Sequence, residues 1–424
     1  MIGAGREDYL LLRGRVVLPI SRPPIDDGGI AIVGKRLRAV GSWKTISKFG
    51  GEVIDLGETI LLPGLINAHC HLDYTRMSGE IPPQAKFTDW LNLIMAAKGG
   101  WSYSDFAESW LAGAKMLLRT GTTTVADVEM SPELLPEVWS ATPLRVFSFL
   151  EMTGVISRRP PREILAEAEA TIQSLKHPRC RVGLSPHAPY STAPALLRQS
   201  AELARRKGWR VVTHVSESDQ EYEMFARRRG EMFKWLNRNG RDMADCGLGT
   251  PTEHLARHKA LNENLLAIHL NFLGPRDASL LGRRGVNAVH CPRTHAYFSR
   301  PIFPYDELSA ARVNVCLGTD SLASVYKPRR KPVELSMFEE MRQFATSHPL
   351  VAPETILQMA TLNGARALGL AGKAGEFRSR AFADIIAIPF SGHVEDSLEA
   401  VVQHRGNVLA SMIEGQWAFG PHRP

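Results

Sequence analysis

Short apolar runs alternate with amphipathic stretches through the middle of the chain. Between Leu61 and about Leu370 eight runs stand out: "LLPGLINAHCH", "TTTVADVE", "RVFSFLEM", "RVGLSPHAPY", "RVVTHVSES", "LLAIHLNFL", "VNAVHCPRT" and "VNVCLGTDS". Each is almost continuously apolar, as a strand covered on both faces must be. Helical periods lie between them, as in "DFAESWLAGAKMLLRTG" and "APALLRQSAELARRKGW". The second of these carries the glycine just past its end that stops a helix. Eight strand–helix units predict a parallel sheet clothed in helices, and eight is the number that closes a barrel. The connection between the fifth and sixth runs, Glu221 to Asn264, is longer than usual and leaves room for extra helices over the site.

Both ends of the chain read differently. "YLLLRGRVVLP", "DDGGIAIVGKRLRAVG" and "GGEVIDLGETILLPG" alternate strand formers with Gly and Asp turns, and "ADIIAIPF" and "VVQHRGNVLASMIEGQWAFG" echo them at the far end. The ends are therefore expected to be all-β. The predicted fold class is α/β: a (β/α)8 TIM-type barrel over residues 61–370, with a small β-sandwich formed by 1–60 together with 371–424.

Composition changes this picture little. The 424 residues are 44% hydrophobic and 22% charged, an ordinary soluble globular mixture with room for one large core and an accessory domain. No apolar run is long enough to span a bilayer, and "MIGAGREDYLLLRGR" lacks the long apolar segment of a secretory signal, so the cytoplasm is expected. Cys70, Cys180, Cys246, Cys291 and Cys316 are odd in number and match no disulfide framework or CxxC site, which predicts buried free thiols. The net charge of +7 is concentrated in "ARRRGE", "SRRPPRE" and "KPRRKP". No nucleic-acid module or interleaved aromatics accompany these runs, so they read as solvated surface. The expected partner is a small molecule, with no nucleic acid and no membrane; a homodimer is left open.

Candidate chemistry sits at the ends of the runs. His69 and His71 close the first, but 14 histidines in 424 residues produce roughly 0.5 HxH pairs by chance, so the pair decides nothing alone. His187 ends the fourth run, His214 the fifth with Glu217 three residues on, and Asp320 the eighth; His269 lies in the sixth and His290 in the seventh. Barrel active sites form at the C-terminal ends of strands, so these side chains are expected to meet at one mouth. Residues i and i+2 of a strand share a face, so His69 and His71 can both point inward while Cys70 points toward the helices.

HxH on the first strand, His on the fifth, His on the sixth and Asp on the eighth resemble the amidohydrolase superfamily along essentially the whole chain. "PGLINAHCHL", "HVSES", "HCPRT" and "LGTDSLAS" resemble its mononuclear deaminase and chlorohydrolase branch, which holds the aminodeoxyfutalosine, S-adenosylhomocysteine/methylthioadenosine and guanine deaminases and the triazine hydrolases. The resemblance implies one divalent metal, held by His69, His71, His214 and Asp320, since the fourth run lacks the lysine that would bridge two. Three imidazoles and a carboxylate suit zinc, with iron or manganese as alternatives. It further implies Asp320, His269 and Glu217 as catalytic groups: Asp320 accepts the proton of the attacking water, His269 assists, and Glu217 carries protons to the ring nitrogen and the leaving amine. His187, Trp90, His295 and Ser321 are the implied substrate contacts; His290, not a metal ligand in the family, either contacts substrate or supports the site. Thr294 and His295 stand where the branch usually has Ser-Asn, a departure that bears on substrate choice.

The implied activity is hydrolytic deamination of an adenine-type nucleoside, 6-aminodeoxyfutalosine or an S-adenosylhomocysteine/methylthioadenosine-like compound. The loop "HLDYTRMSGEIPPQAKFTDWL" resembles aminodeoxyfutalosine-type sequences more than triazine hydrolases, and Lys327, Arg329, Arg330 and Lys331 would then meet an anionic group. The same machinery acting on another C–N or C–Cl bond (triazine-type, guanine, cyclic amide) is the second reading. A barrel kept as a non-catalytic scaffold is the third.

Overall fold

The structure is a computed structural model that describes residues 8–156, 159–329 and 332–421. Two compact units share the chain. One takes both chain ends and Lys115–Thr124; the other takes Ala68–Ala114 and Val125–Leu335.

The strands of the chain ends are β1 (Leu10–Val17), β2 (Ile25–Val33), β3 (Arg36–Ser42), β4 (Glu52–Asp55) and β5 (Thr59–Pro63). Then come the barrel strands β6 (Leu65–Cys70), β7 (Thr122–Glu129), β8 (Arg145–Met152), β9 (Arg181–Pro186), β10 (Val211–Val215), β11 (Leu265–His269), β12 (Asn287–His290) and β13 (Asn314–Leu317). The final three are β14 (Ile385–Pro389), β15 (Ala410–Ile413) and β16 (Gln416–Phe419).

The end strands form one sheet in the order β16-β15-β14-β5-β1-β2-β3, with β4 beside β1. Their alternation sorts side chains by face. Leu12 and Ile30, directly paired, enter one core with Ile32 and Leu61, while Leu11 and Ala31 pack with Ile46 on the opposite side. The expectation of all-β ends needs correction. Residues Trp43–Ile46 form a helical turn, and Ser397–Gln403 form a helix between β14 and β15. Two turns are too few to show a helical period, and Val401 and Val402 read as strand formers by propensity, yet both are buried from the helix.

All eight expected runs supply a barrel strand, in the order β6 through β13. Where registers are resolved, neighbours are parallel, as in β8–β9, β10–β11, β11–β12 and β12–β13. The ring closes through a parallel bridge between Cys70 and Asp320, where the amides of Thr319 and Asp320 both donate to the His69 carbonyl. Helix Pro194–Lys207 ends on Gly208 in the left-handed region, at φ 68°. The long fifth connection holds three helices, Asp219–Arg227, Glu231–Arg238 and Pro251–Arg257, the last opened by a reciprocal Thr250/Glu253 cap. Among the described residues no helix is long and apolar enough to cross a membrane.

Closure depends on Gly318. A Cβ there would lie 2.8 to 2.9 Å from the His69 oxygen, nitrogen and Cβ, two of them backbone atoms that cannot swing aside. Gly318→Ala is expected to cost about 1–3 kcal/mol by overpacking and to lower bound metal. Calorimetry and metal analysis check this; wild-type values in both would show that the seam tolerates the methyl group.

Candidate metal centre and active site

The alternation of β6 and the residue after it turns His69 and His71 to one face. His71 Nε2 faces His214 Nε2 at 3.4 Å. Asp320 Oδ1 lies 3.6 Å from His69 Nε2 and 3.7 Å from His71 Nε2. A tetrahedral metal with ligands at 2.0–2.2 Å needs donor–donor edges of about 3.3–3.6 Å, so this spacing fits one ion. The second nitrogen of His214 is committed elsewhere: the His187 carbonyl holds Nδ1 at 2.9 Å and the His214 amide at 2.8 Å. That bond selects the tautomer that leaves Nε2 free to ligate. His269 also reaches the cluster, with ring nitrogens of His69, His214 and His269 all within 4.8 Å of one another.

The backbone is strained where these groups turn inward. Ser216, His269, Leu270 and Asp320 have φ between 51° and 77°, the left-handed region that side chains avoid. Each such residue costs about 1–3 kcal/mol and persists only where surrounding bonds enforce it. Here the Leu270 amide donates to the Val215 carbonyl and the Asn271 amide to Ser216, tying the ends of β10 and β11 together.

Burial sets the electrostatics. It pushes the imidazoles of His71 and His214 well below their usual range, helped by the neighbouring rings His69 and His187 respectively, and takes His269 and His187 to about 3. Neutral imidazole is the ligating form. Burial alone would raise Asp320, but the neighbouring imidazoles, His69 first and then His269 and His71, hold it well below the carboxylate range. Glu217 goes the other way. Burial, then the charge of Asp320, pushes it well above 4.5, so it holds a proton readily. Its Oε2 lies 3.7 Å from His269 Nε2.

A cavity of about 470 Å³ opens in front of this cluster. His71, His187, His214, Glu217, His269, Asp320, Ser321 and Trp90 line it, with apolar walls of Phe87, Leu91, Ile94, Trp235 and Leu236. The last two come from the long fifth connection. His69 is buried behind the opening. Trp90 stacks near-parallel on Phe87 with centroids 5.9 Å apart. Ser321 donates its amide to Asp320 Oδ1 at 2.8 Å.

His290 and His295 are not among the cavity's lining residues. His290 stacks on Phe303 at 3.8 Å. His295 pairs with Asn271 Oδ1 at 3.0 Å, and Asn271 Nδ2 donates to the Glu217 carbonyl at 3.1 Å, so His295 stands behind the Glu217 backbone. Lys327 donates to the Ser78 carbonyl, and neither Lys327 nor Arg329 lines the cavity; Arg330 and Lys331 lie outside the described residues.

Sequence reasoning passed over four neighbours. Tyr74 stacks flat on His71 at 5.3 Å. Glu221, four residues after Glu217 at helical spacing, accepts the Glu217 amide at 2.9 Å. Asn271 lies within the sixth run, two residues past the end of β11. Cys291 places its sulfur among the donor atoms of His269 and Asp320, and all five cysteines are free and buried.

The model of the amidohydrolase family matches residues 60–418. The chain belongs to the amidohydrolase family. A relative from Syntrophobacter fumaroxidans named 5-methylthioadenosine/S-adenosylhomocysteine deaminase is 32% identical over 408 residues, covering 92% of this chain and 86% of that protein. Among solved structures, a zinc-bound adenosine deaminase from Xanthomonas campestris is 25% identical, with 97% of this chain and 92% of that one covered and a TM-score of 0.82. The fold of the Helicobacter pylori aminofutalosine deaminase, crystallised with methylthio-coformycin, matches at a TM-score of 0.86 and 19% identity, over 96% of this chain and 100% of that one.

In this amidohydrolase the buried Glu221 carboxyl is raised from 4.5 to about 8, chiefly by burial. The folded state therefore keeps a proton that the unfolded chain releases. Its contribution is complete below pH 4.5 and declines as pH rises toward 8. Glu221→Gln keeps an oxygen for the Glu217 amide but cannot ionise. The variant should lose part of this decline, read as a smaller drop in thermal midpoint between pH 5 and 8. An unchanged drop would remove Glu221 as its source.

Proposed function

We propose that this amidohydrolase is a metal-dependent aminohydrolase that deaminates an adenine-type nucleoside derivative, S-adenosylhomocysteine/methylthioadenosine-like or 6-aminodeoxyfutalosine, and releases ammonia. The observation that carries the reading is Glu217. It is a buried, proton-holding carboxyl beside a convergent His/Asp donor set, at the floor of a cavity walled by aromatic rings. Deaminating an aromatic ring requires a proton on a ring nitrogen before the amine can leave, and a carboxyl that keeps its proton near neutral pH supplies it. The name of the Syntrophobacter relative supports the same class.

His69, His71, His214 and Asp320 would hold the ion, and zinc suits their geometry. When bound, a divalent ion supplies the Lewis acidity that makes water a nucleophile near neutral pH. Asp320, held ionised, is placed to accept the proton of the attacking water. Neutral His269 stands 3.7 Å from Glu217 and is placed to steady the attacking oxygen. Glu217 gives its proton to the ring nitrogen, takes the second proton of the added water and passes it to the leaving amine, and the proton held by Asp320 then restores it. His187, locked at 2.6 Å to Ser191 Oγ, presents its ring to the base, and Trp90 offers a stacking face. Five free buried thiols accord with a reducing cytoplasm.

Metal-loaded protein should release ammonia from at least one of methylthioadenosine, S-adenosylhomocysteine, adenosine and 6-aminodeoxyfutalosine. Silence across that panel, with turnover of a chlorinated or methoxylated triazine, would move the assignment to the second reading. Glu217→Gln should keep its metal and lose about 10²–10⁴ in kcat. Full turnover by that variant would refute the role given to Glu217.

A further inference from the structure

His295 is an implied substrate contact that does not line the cavity, and the chemistry above gives it no part. Both of its ring nitrogens are engaged. Nδ1 lies 3.0 Å from Asn271 Oδ1, and Nε2 lies 2.6 Å from the Pro301 carbonyl oxygen. The Pro301 oxygen can only accept, so Nε2 carries a proton. At Nδ1 the answer depends on which way the Asn271 amide faces. Asn271 Nδ2 lies 3.1 Å from the Glu217 carbonyl oxygen. Turning the amide over would set Asn271 Oδ1 against that oxygen, two acceptors with no proton between them. Oδ1 therefore faces His295, and Nδ1 must donate to it. A neutral imidazole donates from one nitrogen only, so a ring that donates from both is an imidazolium.

The other end of this chain of bonds holds Glu217. Asn271 grips two successive carbonyls, Glu217 with its side chain and Ser216 with its amide at 3.0 Å. The Glu217 amide in turn donates to Glu221 Oε2 at 2.9 Å. Ser216 has a φ of 53°, a conformation that persists only where such bonds enforce it. The Glu217 backbone is thus clamped at both its amide and its carbonyl. A charged donor on Asn271 Oδ1 polarises the amide and strengthens the bond that Nδ2 makes to Glu217. Without its second ring proton, His295 would turn a lone pair toward either Asn271 or Pro301, and one of the two bonds would be lost.

We propose that His295 is held as an imidazolium and is a positioning residue: through Asn271 it fixes the Glu217 backbone, and so sets where the Glu217 carboxyl meets the ring nitrogen of the substrate. This rests on the deaminase reading above. Neither His295 nor Asn271 lines the cavity, so both act through Glu217 and not on the substrate.

Two measurements test this. Nitrogen NMR of zinc-loaded wild type labelled at histidine, with the His295 signals identified by their absence from His295→Phe, should show both ring nitrogens protonated at neutral pH. A neutral tautomer there would overturn the proposal without any assay of activity. Kinetics then compare wild type, His295→Phe, Asn271→Ala and the double variant on the nucleoside panel above, with metal content and thermal midpoint confirming that each folds. Each single variant should lose about tenfold or more in kcat, the loss expected for a hydrogen bond from a charged group, while KM stays close to wild type. The double variant should be no worse than the poorer single one, because the same chain is broken twice. Losses that multiply, or a KM that rises while kcat holds, would overturn the positioning role. Unchanged kcat in both single variants would overturn it too and leave the deaminase reading intact. If zinc-loaded wild type turns over no compound of the panel, the deaminase reading itself fails and the positioning role falls with it.

Discussion

The site hangs on the seam that closes the barrel. The His69 carbonyl accepts the amides of Thr319 and Asp320, and Gly318 lets β13 come that close. Those bonds place the first histidine of the claw beside the carboxylate some 250 residues later in the chain. A register slip at the seam would turn alternate side chains to the other face, because strand side chains repeat with a period of two. His69 would then exchange places with Cys70. The metal geometry is thus a consequence of how the ring closes.

Dryness does the rest of the work at the mouth. The same burial that keeps His71, His214 and His269 neutral, and so able to ligate, keeps a proton on Glu217. Asp320 escapes this rule because the imidazoles surround it and favour its charge. One environment therefore produces an ionised carboxylate and a protonated one within the same cluster. Such a split lets two carboxyls play opposite roles in proton transfer. The strained backbone of Ser216, His269, Leu270 and Asp320 is the structural counterpart, and two of these residues, His269 and Asp320, line the cavity.

Beyond the metal centre the cavity is built mainly from apolar and aromatic side chains, and many of them come from the connections rather than the strands. Trp90 and Phe87 sit on the helix after the first loop, and Trp235 and Leu236 on the long fifth connection. A conserved style of chemistry on the strands with a wall made of inserted helices is how barrel folds vary their substrates.

The fold class, the eight strands and the convergence of His69, His71, His214, His269 and Asp320 were legible in the sequence. Continuous apolar runs must be covered on both faces, and polar residues that end such runs share one end of a barrel. The helix Ser397–Gln403 was not legible, being too short to show a period. Nor were the separate fates of His187 and His290, since both end a strand. One turns into the cavity against Ser191; the other is taken up by Phe303. Asn271 and Tyr74 carry no motif, and their meaning comes only from the residues they meet. Strand period and chain order are local properties, written along the sequence. Which side chain meets which empty space depends on contacts between residues far apart in the chain, and only the closed barrel decides that.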